Sequence, residues 1–399
     1  MLKHTLLILM VVAFSCNSTT KNQEIDQIVK DKCGQELTIA EIDQTKQKIN
    51  ANYKIGRIDS IFQKKYKLGG FNGTVLIAQQ GVVLYRKAFG FADIRKKDTL
   101  LPESKFQLAS LSKTFTAVAT LKLVEEGKIS LEDSIKKFIP EFPYSGIQIK
   151  SLLSHRSGLP NYAYVLTDSV RKVKKFPTNA DIVRWYCVVK PKLYNTPNRY
   201  FSYSNTNFSL LASIIERVSG MSFETYLKKT IFEPLGMKNT YLVTTTNDSI
   251  NINRTVGHQF GGCLPKDNFD DVVGDKGVYS TADDLVKWYS GLVNNCILKP
   301  ETTKEAFTPR SFEKHGVKNY GYGFRMHADE TTHVAKYVYH TGWWKGYNTL
   351  MWFSPKSKFV IIVLCNKYNR GIYQIKELLS ILEGRNSTED IETDMQMVN

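Results

Sequence analysis

Ser110 and Lys113 stand three positions apart in the run Ser110-Leu111-Ser112-Lys113. On a helix, that spacing puts both side chains on one face, about one turn apart. A serine hydroxyl is a weak nucleophile until a base takes its proton. Lysine can be that base where burial and neighbouring charge lower its pKa. At a helix N-terminus the backbone N–H groups also point towards a developing oxyanion. The chemistry such a pair could perform is acyl transfer. Taken alone, the same four residues also read as a capped helix with a surface lysine.

Two further segments supply what the pair lacks. Tyr203-Ser204-Asn205 offers a phenol that can relay a proton when held beside cations, and an amide that can bind a substrate amide. By itself it reads equally well as a loop tyrosine with a packed ring. His340-Thr341-Gly342, leading into Trp343-Trp344, offers a strand whose glycine lets the backbone lie against a bound molecule. The plainer reading of that stretch is an ordinary strand start with a solvated histidine.

In this order, SxxK, YxN and HxG resemble the motif set of the serine β-lactamases and penicillin-binding proteins. The class C-like branch is matched further. Leu152 to Pro160 resembles its LLxHxSGLP segment, and Phe232 to Thr240 its PLGMxxT segment. Gly277 to Leu285 resembles GGLxSTAxDL, and Tyr322-Gly323-Phe324 resembles its YGxG segment. The resemblance covers roughly residues 57–385. It implies Ser110 as the acylated nucleophile, with Lys113 and Tyr203 sharing general-base and general-acid work. Asn205 would contact a substrate amide, and His340 and Thr341 would line the substrate site. The backbone N–H groups of Ser110 and Trp343 would form the oxyanion hole. No metal and no organic cofactor is implied.

The third motif departs from the pattern. True β-lactamases and penicillin-binding proteins usually carry lysine where His340 stands, as the partner of a substrate carboxylate. Histidine is largely neutral at pH 7, and HxG resembles the family's esterases and D-amino-acid peptidases instead. The implied activity is therefore hydrolysis of a small ester, amide or D-amino-acid peptide through an acyl-enzyme. Trp343 and Trp344 add bulk beside the oxyanion position. D-Ala-D-Ala carboxypeptidase and true β-lactamase action are the alternatives. A non-catalytic envelope scaffolding or binding member of the family is the alternative from another class. Its mark would be loss of Ser110, Lys113 or Tyr203, and all three are present.

The elements that must position these residues are legible in part. Thr74 to Ala78 and Val82 to Tyr85 read as a strand pair turning at Gln80-Gly81. A helix follows from Ser110 to Glu126, with Gly127 as its stop. Asp181 to Tyr186, Phe208 to Val218 and Phe223 to Ile231 carry helical spacing. Another helix opens at Ser280-Thr281, with acids in its first turn. Asn348 to Phe353 and Phe359 to Cys365 read as strands, and Ile372 to Leu382 as a closing helix. Strands at both ends with helices between predict an α+β fold. Its antiparallel sheet would be flanked by helices with an inserted all-helical region, as in the β-lactamase/transpeptidase-like fold.

The ends of the chain suggest a destination. Met1 to His4 is a basic start, and Thr5 to Phe14 an apolar run of signal-peptide length. That run is too short to span a bilayer as a helix. Ala13-Phe14-Ser15-Cys16 resembles a bacterial lipoprotein cleavage site, which would leave Cys16 lipidated and the membrane as a partner. Phe14 is not the small residue usual there, and plain signal-peptide cleavage is the other reading. The expected organisation is a signal peptide at 1–16, a tether at 17–56 with a short helix at 40–50, the hydrolase domain at 57–385 with its helical region at about 121–285, and a flexible tail at 386–399. The expected location is the periplasm or the membrane of a bacterial envelope.

The chain has 399 residues and a formal charge of +16. Its lysines are scattered, as in Arg95-Lys96-Lys97, with no basic helix or basic aromatic sheet motif. A solvated basic surface follows, and no nucleic-acid partner is expected. Beyond Cys16, five cysteines lie far apart without CxxC spacing, so neither a metal site nor a dense disulfide framework is signalled. No GxSxG elbow or HExxH motif is present.

Overall fold

The structure, a computed structural model, describes residues 30–32, 35–166, 176–245, 253–259, 262–264 and 268–385. The leader 1–16 with Cys16, the first part of the tether and the tail 386–399 lie outside the described residues.

The framework is a seven-stranded antiparallel sheet built from both ends of the chain. Helices α1 (Ile39–Lys48) and α2 (Ala51–Gly69) lead into strands β1 (Gly73–Gln79) and β2 (Val82–Phe89). Much later come β3 (Lys318–Tyr320), β4 (Arg325–Ala328), β5 (Ala335–Trp344), β6 (Tyr347–Ser354) and β7 (Phe359–Cys365). The order across the sheet is β3-β4-β5-β6-β7-β1-β2. The first strand pair thus joins the last three strands through β7 and β1, in a register that sets Ile361 opposite Ile77.

Both faces of this sheet are covered, which explains the uninterrupted apolar runs of β1 and β7. Alternate residues serve two cores. Val75, Ile77, Ile361 and Val363 face one, together with Ile58 and Phe62 of α2 and Leu378 of the final helix, Lys376–Glu383. Leu76, Ala78, Val360, Ile362 and Leu364 face the other, against the large helical region. Each such Val, Leu or Ile side chain, fully buried, contributes about 1.5–3 kcal/mol.

The expected α+β architecture is present, with its antiparallel sheet flanked by helices. The region between β2 and β3 carries α3 (Ser112–Glu125), α4 (Asn179–Val189), α5 (Asn205–Ser219) and α6 (Ala282–Val293). It also holds a three-stranded sheet of Phe106–Gln107, Val278–Ser280 and Tyr241–Leu242. Thr281 caps α6 by accepting from the Asp284 N–H, as its sequence suggested.

Two local features differ from the sequence reading. The folded unit starts upstream of residue 57, because α2 begins at Ala51 and Ile49, Ala51 and Ile58 are buried. β3 and β4 carry no clear alternation, and the pattern did not signal them. Cys296 is disulfide-bonded, while Cys187, Cys263 and Cys365 are free, so its partner lies outside the described residues. Among the described residues no helix is long and apolar enough to cross a membrane.

Candidate active site

Ser110 sits in a single 3-10 turn, Ala109–Leu111, that runs directly into α3. Helix α3 is buried on nearly all sides, from Ser112 to Leu121. Its apolar residues therefore recur on every face, and its hydroxyls must find partners inside. Thr114 donates to the Leu111 carbonyl, Thr120 to Thr116 and Thr116 to the Gly274 carbonyl. Ala109, directly before the serine, has φ +50. A left-handed non-glycine residue costs roughly 1–3 kcal/mol and persists only where its surroundings enforce it.

Those surroundings are β5. A side chain at Gly342 would place its Cβ 2.1 Å from the Leu108 carbonyl oxygen and 2.3 Å from Thr349 Oγ1. Glycine there lets the strand lie directly on the segment that carries Ser110. Thr349 Oγ1 also donates to the Leu108 carbonyl at 2.8 Å. The Tyr373 hydroxyl donates to the Gly342 carbonyl at 2.7 Å and accepts from Asn348 Nδ2 at 3.0 Å.

Three residues from distant parts of the chain meet here. Lys113 Nζ donates to Ser110 Oγ at 3.0 Å and to the Asp275 carbonyl at 2.8 Å. Tyr203 lines the same cleft as Ser110, with Lys113 Nζ 5.1 Å from its ring centroid. Burial opposes ionisation of this phenol. The positive charges of Lys113 and Arg325, with the polar groups of Ser110 and Lys113 nearby, more than offset it, so its pKa falls below the usual tyrosine value.

Tyr203 is fixed by the turn after Leu153. The Ser202 N–H donates to the His155 carbonyl at 2.8 Å, and the Ser204 N–H donates to His155 Nδ1 at 3.2 Å. The His155 and Tyr203 rings lie 4.2 Å apart. The Pro160 carbonyl accepts from Thr206 Oγ1 at 2.7 Å and from the Tyr186 hydroxyl at 2.6 Å. The LLSHRSGLP segment is thus the mount on which Tyr203 and Asn205 stand. By contrast, Phe232–Thr240 and Gly277–Leu285 brace each other: Thr240 Oγ1 and the Asn239 N–H both donate to the buried Asp284.

These residues open onto a cleft of about 840 Å³. Ser110, Tyr203, Asn205 and Thr341 line it, with the Gly342-Trp343-Trp344 backbone along one wall. The other walls are aromatic: Tyr164, Phe269, Tyr368 and Tyr373. Asn205 Oδ1 is buried and has no protein partner.

His340 does not share the cleft. Its ring is fully buried, unlike the neighbouring Thr341, because successive side chains of a strand face opposite ways. Nδ1–H donates to the Thr341 carbonyl at 2.8 Å, and Nε2 accepts from the Tyr320 hydroxyl at 3.3 Å. Burial, with Arg325 and Lys113 nearby, drives its pKa well down and keeps it neutral.

The sequence reading missed Arg325. It lies on β4, opposite Tyr339 of β5, and lines the cleft. Its guanidinium lies 5.1 Å from the Tyr203 ring centroid. Its Nε has no protein partner. The neutral third motif left room for a cation from elsewhere, but only the strand pairing identifies which. Among the described residues no three His, Cys, Asp or Glu side chains gather as a metal site.

The beta-lactamase family model matches residues 58–381. The chain belongs to the beta-lactamase family. Among curated relatives, penicillin-binding protein 4* of Bacillus subtilis is 33% identical over 337 residues, covering 79% of this chain and 73% of that protein. Protein flp of Staphylococcus aureus is 28% identical over 343 residues; the match covers 81% of this chain but only 65% of flp. Among solved structures, the octameric penicillin-binding protein homologue of Pyrococcus abyssi superposes with TM-score 0.73 at 27% identity, covering 86% of this chain and 80% of that one. A penicillin-binding protein of Bacillus halodurans gives TM-score 0.69 at 25% identity, covering 78% and 96%. Membership in this serine-hydrolase superfamily rests on the length of these matches as well as on the motifs.

Proposed function

We propose that this beta-lactamase family member is an acyl-transferring serine hydrolase with Ser110 as its nucleophile. The observation that carries this reading is the convergence of the hydrogen-bonded Ser110–Lys113 pair and Tyr203 at the cleft. Ser110 Oγ attacks a substrate carbonyl carbon as its proton passes to the Lys113–Tyr203 pair. The carbonyl oxygen takes up negative charge, which the backbone N–H groups of Ser110 and Trp343 stabilise. One such donor is worth about 10²–10³ in rate. The bond to the leaving group then breaks, and the same pair returns the proton to it. Water or an amine attacks the acyl-enzyme and frees Ser110.

The substrate class is a small ester, amide or D-amino-acid peptide. Two observations favour a peptide bearing a carboxylate. Asn205 Oδ1 offers an unpaired acceptor for a substrate N–H. Arg325 places a cation on the wall where His340 supplies none. The printed names of the relatives make penicillin a suitable probe.

The location is extracytoplasmic. The leader and Cys16 support this, and so does the disulfide at Cys296, since such bonds persist in oxidising compartments.

The test is labelling of wild type and Ser110→Ala with a fluorescent penicillin and a fluorophosphonate. Ser110-dependent labelling by both is expected for a peptidase, and labelling by fluorophosphonate alone for an esterase. Absence of any Ser110-dependent label would overturn the enzymatic reading in favour of a scaffolding member.

A further inference from the structure

The acceptor that holds Lys113 belongs to a second buried cluster that the reaction does not consume. Residues 272–278 form a strap laid along the start of α3. It is attached at three points: Thr116 Oγ1 donates to the Gly274 carbonyl at 2.6 Å, Lys113 Nζ to the Asp275 carbonyl at 2.8 Å, and the Val278 N–H to Ser112 Oγ at 3.2 Å. Gly274, at φ +97, fits where a Cβ would lie 2.4 Å from the Phe208 carbonyl of α5.

The strap's two charged side chains turn inward. Asp275 and Lys276 are 1% and 3% exposed, so neither charge meets bulk water. Asp275 Oδ2 accepts from the Tyr162 hydroxyl at 2.8 Å. Lys276 Nζ donates to the same hydroxyl at 2.6 Å, to the Val272 carbonyl at 3.1 Å and to Asp275 Oδ1 at 3.4 Å. Tyr162 is tied in turn to the YxN segment, because its N–H donates to Thr206 Oγ1 at 2.9 Å. On its other side Lys276 Nζ lies 5.2 Å from the ring centroid of Trp344, a wall of the cleft.

A buried ion pair of this kind is seldom a net source of stability; apolar residues of similar volume often do as well or better. Its value here is directional. The carboxylate and carbonyl of Asp275 belong to one residue, so anchoring the carboxylate fixes the carbonyl. We infer that Tyr162, Asp275 and Lys276 form a positioning triad that holds the Asp275 carbonyl against Lys113 and thereby aims Lys113 at Ser110 Oγ. This inference rests on the reading of Ser110 and Lys113 as the reacting pair. None of the three is a catalytic residue: they act through Lys113. The triad also links the nucleophile's helix to the mount of Tyr203 and to the cleft wall at Trp344.

The test uses the full chain, with a fluorophosphonate as the probe. Labelling rates are recorded against probe concentration across a pH series for wild type, Ser110→Ala, Tyr162→Phe, Lys276→Met, Asp275→Asn and Asp275→Ala, with melting temperatures measured alongside. Tyr162→Phe and Lys276→Met are expected to lower the maximal labelling rate roughly ten- to a hundred-fold, as a displaced reacting group does. The half-saturating probe concentration should stay the same while the pH profile changes. Asp275→Asn, whose amide oxygen still accepts from Tyr162, should keep more rate than Asp275→Ala. A folded Tyr162→Phe with wild-type rate and wild-type pH profile overturns the triad. That single variant decides the matter if Lys276→Met fails to fold. If Ser110→Ala labels like wild type, the nucleophile reading itself falls, and the triad's role with it.

Discussion

Arg325 lies against Tyr203 at the cleft, its guanidinium 5.1 Å from the tyrosine ring centroid. The phenol therefore depends on a cation that no recognised motif contains. Replacing Arg325 by methionine removes one of the two positive charges that oppose the effect of burial on Tyr203. The Tyr203 pKa should then rise. If the phenolate is the working form, activity falls as pH drops through that pKa, so the acid limb of the labelling profile should move to higher pH. Substrates with a free carboxylate should lose about ten- to a hundred-fold more than their neutral counterparts, the worth of a hydrogen bond to a charged group. Matched free-acid and amide substrates measured across pH check both expectations.

Gly342→Ala should damage the site and the fold together. The added methyl would collide with the Leu108 carbonyl and Thr349 Oγ1, both held in place by their own hydrogen bond. Overpacking of this kind costs about 1–3 kcal/mol. The strand must move away from the Ala109–Ser110 turn to accept it. A lowered melting temperature with lost Ser110 labelling is expected; a fully active, equally stable variant would contradict the close approach as its cause.

Much of this was legible in the sequence because the relevant patterns are local. Ser110 and Lys113 share a helix face, and Thr281 announces the cap of α6. The continuous apolar runs of β1 and β7 mark strands buried on both sides. What stayed hidden depends on pairing across the chain. Arg325 gains its meaning only when β4 pairs with β5 and brings it against Tyr203. His340 looked like a substrate contact because HxG is read as a unit, but strand alternation turns Thr341 to the cleft and His340 inward. The start of α2 was missed because Lys54 looks polar, whereas its ammonium is satisfied by Gln79 and the Leu382 carbonyl.

Acid should destabilise the fold through two histidines. Burial, together with the nearby cations, sets the pKa values of His155 and His340 well below the ordinary histidine value of 6.5. The unfolded chain then binds more protons than the native state whenever pH lies between the two values. Stability from this source is complete above about 6.5 and is lost as pH falls towards the folded-state values. Chemical denaturation of wild type and His340→Gln at several pH values should show a shallower acid dependence in the variant.

Asn205→Ala should separate amide from ester turnover. The Oδ1 atom has no protein partner, so its loss leaves the apo site intact while removing an acceptor for a substrate N–H. A site that depends on a substrate hydrogen bond discriminates strongly for it. Amide or peptide cleavage should drop at least tenfold more than cleavage of the matching ester. Equal losses on both substrates would indicate a general packing effect.

The register that joins Gln79 to Phe359 fixes when the molecule can become whole. As the polypeptide emerges N-terminus first, β1 has β2 on one side but must wait for β7, the last strand of the sheet, on the other. Until then one of its edges lies bare, a hazard for wrong pairing with another nascent molecule. The strap, the Ala109–Leu111 turn and the wall at Trp344 likewise come together only when synthesis is almost complete. A ribosome that stalls before β5 releases a product with Ser110 but without the surface that gives it direction.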